Sequence, residues 1–152
     1  MGFRVSSYKE GSCAVGPVSH VPFIPDAMME VIPVFEKHFR SSGRAAFNPE
    51  DHSGFWRQVT VRTNLQNHVL VMVAVNPLNV TPVEMESVKK ELEVLGKENN
   101  IHSLYIHLVG QKKSGEEPPL EHILGATHLV ERLCDLEFSI SPLAFFQVML
   151  IL

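Results

Sequence analysis

The sequence predicts an α+β domain in which two main helices pack on one face of a mostly antiparallel sheet. The chain has 152 residues, which is enough for one domain with its own core. Several segments alternate between apolar and polar side chains, as half-buried strands do, and two others repeat apolar residues at helical spacing. The predicted order is a hairpin, a helix, two strands, a helix, a strand, a loop and two or three strands. We assign residues 1–140 to this domain.

The first elements are predicted from their periodicity. The segment "FRVSSYKEGSCAVG" alternates around Glu10-Gly11 and predicts a hairpin. A helix is then predicted from an N-cap at Asp26 to a stop at residues 41–43. Pro33 lies inside it and predicts a kink or a shifted start. The apolar stripe of this helix is Met28, Ile32, Phe35 and Phe39.

The first long strand is predicted in "GFWRQVTVRTN", residues 54–64. Apolar and polar residues alternate there, which is typical of a strand with one exposed face. The apolar face carries Phe55, Val59 and Val61. The predicted exposed face carries Trp56, Gln58, Thr60 and Arg62.

The second helix has the clearest start signal in the chain. Thr81 is the predicted N-cap, Pro82 the first helical residue and Glu84 the closing residue of a capping box, while Gly96 is the predicted terminator. Its buried stripe is Met85, Val88, Leu92 and Leu95.

Five further strands are predicted before and after this helix. A buried central strand precedes it in "HVLVMVAV" (68–75), and a two-faced strand follows in "IHSLYIHLV" (101–109). Short strands follow around Ile123 and Leu129, and a final strand is predicted over residues 133–141. The inward residues of that final strand are Cys134, Leu136, Phe138 and Ile140.

Composition excludes several classes of protein. The formal net charge of −4 excludes a chain that binds nucleic acid through its overall charge, so we expect no DNA partner, and RNA contact only through a local patch. No apolar stretch reaches the roughly 18 residues of a membrane span. We interpret the two cysteines, Cys13 and Cys134, as buried core residues of an intracellular protein.

The residue types of catalysis are present without a complete catalytic arrangement. The eight histidines have no pair at the helical spacing of known metal sites, so we interpret them as scattered solvated side chains and predict no metal. No glycine-rich phosphate or dinucleotide loop precedes a helix.

One polar surface remains a candidate for RNA contact. Trp56, Arg57 and Arg62 combine an aromatic plane with guanidinium donors on or beside the predicted exposed strand, as surfaces that contact RNA do. The alternative is a solvated sheet face on which Trp56 covers an edge of the core. The sequence leaves both interpretations open.

The closing segment "SISPLAFFQVMLIL", residues 139–152, raises a similar choice. It is either a final core element or the start of a further one. Ser141-Pro142 follows a strand and is typical of an N-cap with proline in the first helical turn. We therefore predict that a helix begins at Ser141.

The segment "FSISPLAFFQV" resembles the entry into the methyltransferase domain of the RNA (uracil-5-)-methyltransferase family. The segments "GFRVSSYKEGSCAV", "GFWRQVTVRT", "VNPLNVTPVE" and "PLEHILGATHLVERLCDLEFSISP" resemble, in the same order, the central domain of that family. The resemblance implies an α+β domain that precedes a Rossmann-like domain, S-adenosylmethionine as cofactor, tRNA as partner and 5-methyluridine as product. It also implies that Gln147 contacts the cofactor and that Phe145 lies beside the reacting base.

The chain departs from the family pattern after Val148. Met149 stands where the family has asparagine, and we expect residues 141–152 to begin the linker into a cofactor domain that is missing here. The family's nucleophilic cysteine and general base would also be missing, so we expect a fragment that is inactive alone. The alternative is a non-catalytic RNA- or protein-binding module. We expect the cytosol or nucleus, rather than the mitochondrion, as its location.

Overall fold

The structure is a computed structural model that describes residues 2–4, 15–17, 24–110 and 117–144. The described helices are α1 (Asp26–Ser41) and α2 (Pro82–Glu98). The described strands are β1 (Gly2–Arg4), β2 (Val15–Pro17), β3 (Trp56–Thr63), β4 (Val69–Val75), β5 (Ser103–Leu108), β6 (Leu120–Gly125), β7 (Leu129–Leu133) and β8 (Leu136–Ile140).

The main sheet has the strand order β3-β4-β5-β6. β3 with β4 and β5 with β6 pair antiparallel, whereas β4 and β5 pair parallel because α2 connects them as a crossover. β1 pairs antiparallel with β2, and β7 with β8. The α+β prediction is therefore confirmed. The Glu10-Gly11 turn and Cys13 lie outside the described residues.

Both helices pack on the same face of the main sheet. Phe35 of α1 and Leu92 of α2 are fully buried in one cluster with Val71 and Val73 of β4. β4 is buried on both faces, as its continuous apolar sequence predicts, because the β7–β8 hairpin covers Leu70 from the other side. The helices on one face and the β7–β8 hairpin on the other therefore hold the main sheet in place.

α1 differs from its prediction at the start. The N-cap residue is Pro25, and Asp26 is already helical, so the prediction of Asp26 as N-cap is wrong. Helix Asp26–Ser41 includes Pro33 and ends at the predicted place, with Ser42 as C-cap. Phe35 is buried as predicted, and Val31 is buried as well. The other stripe residues, which are partly buried, are Met28, Ile32 and Phe39.

α2 begins as predicted and ends later. The Thr81 hydroxyl accepts a hydrogen bond from the Glu84 amide at 3.2 Å, and the Glu84 carboxylate accepts one from the Thr81 amide at 2.8 Å, which completes the capping box. The prediction of Gly96 as terminator is wrong, because the helix continues to Glu98. The chain reverses at Asn100, whose φ is 51°.

The predicted final strand begins later than expected, at Leu136, because residues 134 and 135 form a tight turn after β7, the strand predicted around Leu129. Cys134 and Asp135 have φ values of 48° and 63°, and a two-residue hairpin turn of type I′ needs both angles positive. The turn exposes Cys134, so its assignment to the core is wrong. Ile140 is buried and Phe138 is partly buried, as predicted. Across the described ranges, no helix is long and apolar enough to cross a membrane.

Candidate nucleic-acid interface

Trp56 lies in the core rather than on the exposed face. The register of β3 against β4 shifts between Trp56 and Gln58, which is a β-bulge, and the bulge turns Trp56 to the helix side of the sheet. Only 8% of Trp56 is exposed. Its ring lies 4.3 Å from the ring of Phe39, and its indole nitrogen donates a hydrogen bond to the Ser42 hydroxyl at 2.9 Å. The prediction that Trp56 lies on the exposed face is wrong, and the alternative of a core contact is correct.

Arg57 is exposed, as predicted, and is held in one orientation. Its Nη1 donates a hydrogen bond to the Val109 carbonyl at 3.1 Å, just beyond the end of β5. Its guanidinium carbon lies 3.8 Å from the centroid of the Phe47 ring. A guanidinium stacked on an aromatic ring keeps its charge and loses conformational freedom, which suits it to binding phosphate. Arg57 and Phe47 therefore form an ordered cationic site at the end of β3.

The loop before β3 places Phe47. The Phe47 amide donates to the Trp56 carbonyl at 2.9 Å, and the Phe55 amide donates to the Ala45 carbonyl at 2.8 Å. Gly54 has a φ of 84°, and a Cβ there would lie 2.1 Å from the Ala46 carbonyl oxygen. Glycine is therefore required for the loop to close this tightly. Phe47 was not predicted as a site residue, although the "SG" before "FW" does mark a turn.

Asn76 joins this loop to the end of β4. Its side-chain amide, which is buried, donates hydrogen bonds to the His52 carbonyl at 3.1 Å and to the Gly54 carbonyl at 3.0 Å. Its side-chain oxygen accepts a hydrogen bond from the Leu78 amide at 3.2 Å. One asparagine thus satisfies backbone groups of two segments, and no sequence pattern indicates this pairing.

Arg62 occupies the other end of β3 and is partly buried. Its Nη1 donates a hydrogen bond to the carbonyl oxygen of Ala144, which lies in the segment after β8. Arg57 and Arg62 therefore have different partners near opposite ends of one strand. The structure does not bring them together as one patch.

An open cleft of about 440 Å³ lies between the loop before β3 and the start of α2. Three of its polar side chains already have partners within the protein: Asn76 holds the loop, Glu84 closes the capping box, and Arg44 pairs with Glu91 at 3.4 Å. The cleft residues are Arg44, Ala45, Asp51, His52, Ser53, Gly54, Phe55, Asn76, Leu78, Asn79, Val80 and Glu84. To bind S-adenosylmethionine, these three side chains would have to give up their present partners.

Two histidines depart from the prediction of solvated side chains. His38 is packed edge-on against Phe39 and Trp56, and burial lowers its pKa despite the opposing effect of the Glu91 carboxylate. His102 stacks on His68 with ring centroids 4.2 Å apart, and burial followed by the charge of His68 lowers the pKa of His102. Among the described residues, no group of three or more potential ligands is arranged to hold a metal ion.

The described residues end at Ala144, just before the segment in which the cofactor contact is predicted. The Ala144 amide donates a hydrogen bond to the Ser141 carbonyl at 3.1 Å, which closes a turn over Pro142-Leu143. Phe145 and Gln147, the residues that the resemblance places beside the base and the cofactor, lie outside the described residues. The predicted helix from Ser141 also lies mostly outside them.

The fold is found in an RNA-modifying class of methyltransferases. The crystal structure of Pyrococcus abyssi tRNA (uracil-54, C5)-methyltransferase, in complex with S-adenosyl-L-homocysteine, aligns with a TM-score of 0.65 and 18% sequence identity. The alignment covers 88% of this chain and 31% of that chain. At this level of identity the likeness shows the fold. The arrangement of sheet and helices described above therefore occurs in such an enzyme.

Sequence comparison identifies the relatives. The chain is 37% identical over 155 aligned residues to mouse tRNA (uracil-5-)-methyltransferase homolog A, and 36% identical to the human homolog A. Each alignment covers 97% of this chain and 25% of the relative, so the chain spans a quarter of the length of these proteins. No family model matches the chain. The resemblance to the RNA (uracil-5-)-methyltransferase family is confirmed: nearly the whole chain is homologous to one segment of its members.

Proposed function

We propose that this chain is the α+β domain of an S-adenosylmethionine-dependent tRNA (uracil-5-)-methyltransferase that forms 5-methyluridine in tRNA. The observation that carries the proposal is the identity of 37% with mouse homolog A over 97% of the chain. In this proposal, residues 1–140 support the RNA, and residues 141–152 lead towards the domain that binds the cofactor. The proposed location is the cytosol or nucleus.

The proposed contact with tRNA is the site of Arg57 and Phe47. A chain with a net charge of −4 repels a phosphate backbone overall, so attraction has to come from a local cation. Arg57 is exposed and is held between the Phe47 ring and the Val109 carbonyl, so little conformational entropy is lost when it binds phosphate. Trp56 would support this site from the core by fixing the bulge, rather than by stacking on a base.

The proposed cofactor and base contacts are Gln147 and Phe145. Both assignments rest on the match of "FSISPLAFFQV" to the family motif. An amide such as that of Gln147 can hydrogen-bond a polar group of S-adenosylmethionine, and an aromatic ring such as Phe145 can stack on a uracil turned out of its RNA. S-adenosylmethionine supplies the methyl group when bound.

We propose that the chain alone does not transfer the methyl group. Methylation at C5 of uracil in this family needs a thiolate that adds to C6 and a base that removes the C5 proton. Among the described residues the free cysteine is Cys134, which lies at the exposed tip of the β7–β8 hairpin. In this proposal Cys134 does not take the place of the family's nucleophile.

The experiment that tests the proposal has two readouts on the purified 152-residue chain. Binding to unmodified tRNA is measured by fluorescence anisotropy, with a DNA duplex of equal length as the control. Methyl transfer is measured with labelled S-adenosylmethionine on the same tRNA. We expect tRNA to bind more tightly than DNA, without transfer. Equal affinity for both nucleic acids would contradict the RNA role, and label in the tRNA would contradict the proposed inactivity.

A further inference from the structure

The hydrogen bond from Arg62 to Ala144 joins two segments 82 residues apart. Arg62 lies on β3 with a partly buried side chain, and Ala144 is the last residue that the structure describes. The bond ends on a backbone carbonyl, so it does not depend on the identity of the side chain at position 144. A guanidinium is always charged and forms stronger hydrogen bonds than a neutral donor. The contact thus fixes the course of the main chain.

The segment after β8 is held at other points as well. Ala144 packs against the small cluster of Leu70, Leu129 and Ile140, on the face of the sheet opposite the helices. Pro142 is buried, and the Ala144 amide closes the turn onto the Ser141 carbonyl. Apolar packing therefore holds Ala144 against the small cluster, and Arg62 binds the backbone carbonyl of the same residue.

The hairpin from which this segment emerges is itself tied to the β3–β4 turn. The Asn64 side-chain amide donates a hydrogen bond to the Val130 carbonyl at 2.8 Å, and the Leu65 amide donates one to the Glu131 carboxylate at 3.2 Å. The end of β3 and the turn after it thus contact both β7 and the residues after β8. These contacts leave the chain at Ala144 little freedom of direction.

We propose that Arg62 is a positioning residue, which holds the backbone at Ala144 against the sheet and so sets the direction in which the chain enters Phe145 and Gln147. The inference rests on the proposed function, in which these two residues approach the base and the cofactor. Arg62 acts through this segment and not by touching RNA. Small errors in the direction of a segment that carries such contacts are costly, because reacting groups need placement to within a fraction of an ångström.

The first test measures amide hydrogen exchange at Ala144 by NMR in the full chain. The Ala144 amide is bonded to the Ser141 carbonyl, so Arg62 affects its exchange through the stability of this turn. We expect Arg62→Ala to speed exchange at this amide several-fold, because the turn loses its contact with β3, and Arg62→Lys to restore part of the protection. Arg57→Ala is the matched control. It removes another arginine of β3, whose guanidinium donates a hydrogen bond to the Val109 carbonyl. Exchange at Ala144 that is unchanged in Arg62→Ala, or equally fast in Arg57→Ala, overturns the inference.

The second test uses tRNA that carries 4-thiouridine at the target position for photo-crosslinking. We expect Arg62→Ala to reduce crosslinks to the peptide that contains Phe145 several-fold, while the Kd for tRNA stays within about twofold of the wild type. A Kd that rises as in Arg57→Ala, with unchanged exchange at Ala144, would make Arg62 an RNA contact and overturn the inference. Failure of the wild-type chain to bind tRNA would overturn the proposed function instead, and exchange at Ala144 would still decide whether Arg62 holds this segment.

Discussion

At the scale of single residues, Arg57 is the described cation on which the proposed RNA contact depends. Replacement of Arg57 by alanine removes one ordered positive charge and leaves the core intact, so we expect tRNA binding to weaken roughly fivefold and the salt dependence of log K to fall by about one unit. Fluorescence anisotropy at several salt concentrations measures both. Arg40→Ala is the matched control, because Arg40 is an exposed arginine of α1 that pairs only within its helix, with Glu36. Equal loss in both variants would mean that general charge, not this site, binds tRNA.

Gly96 decides how closely α2 approaches the sheet. A Cβ at this position would lie 2.5 Å from Cδ2 of Leu124 and 3.1 Å from Cδ2 of Leu104. Alanine favours a helix by about 1 kcal/mol over glycine, but overpacking costs roughly 1–3 kcal/mol, so we expect Gly96→Ala to destabilise the fold by about 1 kcal/mol. Urea unfolding measures the change. Val94→Ala, on the exposed side of the same helix, should stay within about 0.5 kcal/mol of the wild type, and a stabilised Gly96→Ala would show that the leucines move aside freely.

At the scale of elements, local signals predicted the start of α2 correctly but failed at the start of α1 and at the end of α2. The capping box of α2 was predictable because Thr81 and Glu84 act within one turn. The core position of Trp56 was not, since a single extra residue in β3 reverses the alternation on which the prediction depended. Likewise, Cys134-Asp135 carries none of the usual glycine or asparagine of a two-residue hairpin turn, so the position of the break between β7 and β8 was not predictable.

The packing of α1 against β3 and α2 should make stability depend on pH. Burial lowers the pKa of His38 in the folded protein, and the Nε2 of this residue has no hydrogen-bond partner among the described residues. The unfolded chain therefore takes up the proton first, near its ordinary pKa of about 6.5, and the fold loses stability as the pH falls below that value. His102, whose pKa is lowered by burial and by His68, adds to the same loss. The loss cannot exceed about 1.4 kcal/mol per pH unit for each histidine.

Urea unfolding between pH 8 and pH 5.5 checks this dependence. We expect a constant free energy of unfolding above about pH 7 and a decline below it. The double variant His38→Asn and His102→Asn should show a flatter profile over the same interval. The carboxylate of Glu84, whose pKa is lowered by hydrogen bonds from Thr81, affects stability only at lower pH and does not confuse the comparison. A double variant that declines as steeply as the wild type would assign the effect to other groups.

At the scale of the whole molecule, the α+β class and the family resemblance could be predicted from the sequence, whereas the contacts between distant elements could not. Periodicity indicated strands and helices one at a time, but the parallel pairing of β4 with β5 follows from the crossover of α2. The candidate site shows the same limit. Arg57 was predictable as an exposed cation, but its partner Phe47 and the contact of Arg62 with Ala144 arise only when distant segments meet. No regular spacing in the sequence marks contacts between distant segments, so they could not be predicted.

The joint between the β7–β8 hairpin and the main sheet should control whether the molecule unfolds as one unit. Asn64 is buried, accepts hydrogen bonds from the Gln66 and His68 amides, and donates one to the Val130 carbonyl. Its replacement by alanine leaves these backbone groups without their partner, which costs about 2 kcal/mol. Because the Leu65–Glu131 hydrogen bond and the small cluster of Leu70, Leu129 and Ile140 then remain between the hairpin and the sheet, we expect β7 and β8 to exchange amide hydrogens faster than β4 and β5.

Hydrogen exchange measured strand by strand tests this expectation, with Asn99→Ala as the matched control. Asn99 is also a partly buried asparagine, and its side chain donates to the Leu95 carbonyl at the end of α2, away from the hairpin. We expect the control to lower stability without separating β7 and β8 from the rest. A uniform increase of exchange in Asn64→Ala would show that the apolar cluster alone keeps the hairpin and the sheet together. In that case the direction of the chain at Ala144 would depend on Leu70 and Arg62 rather than on the turn.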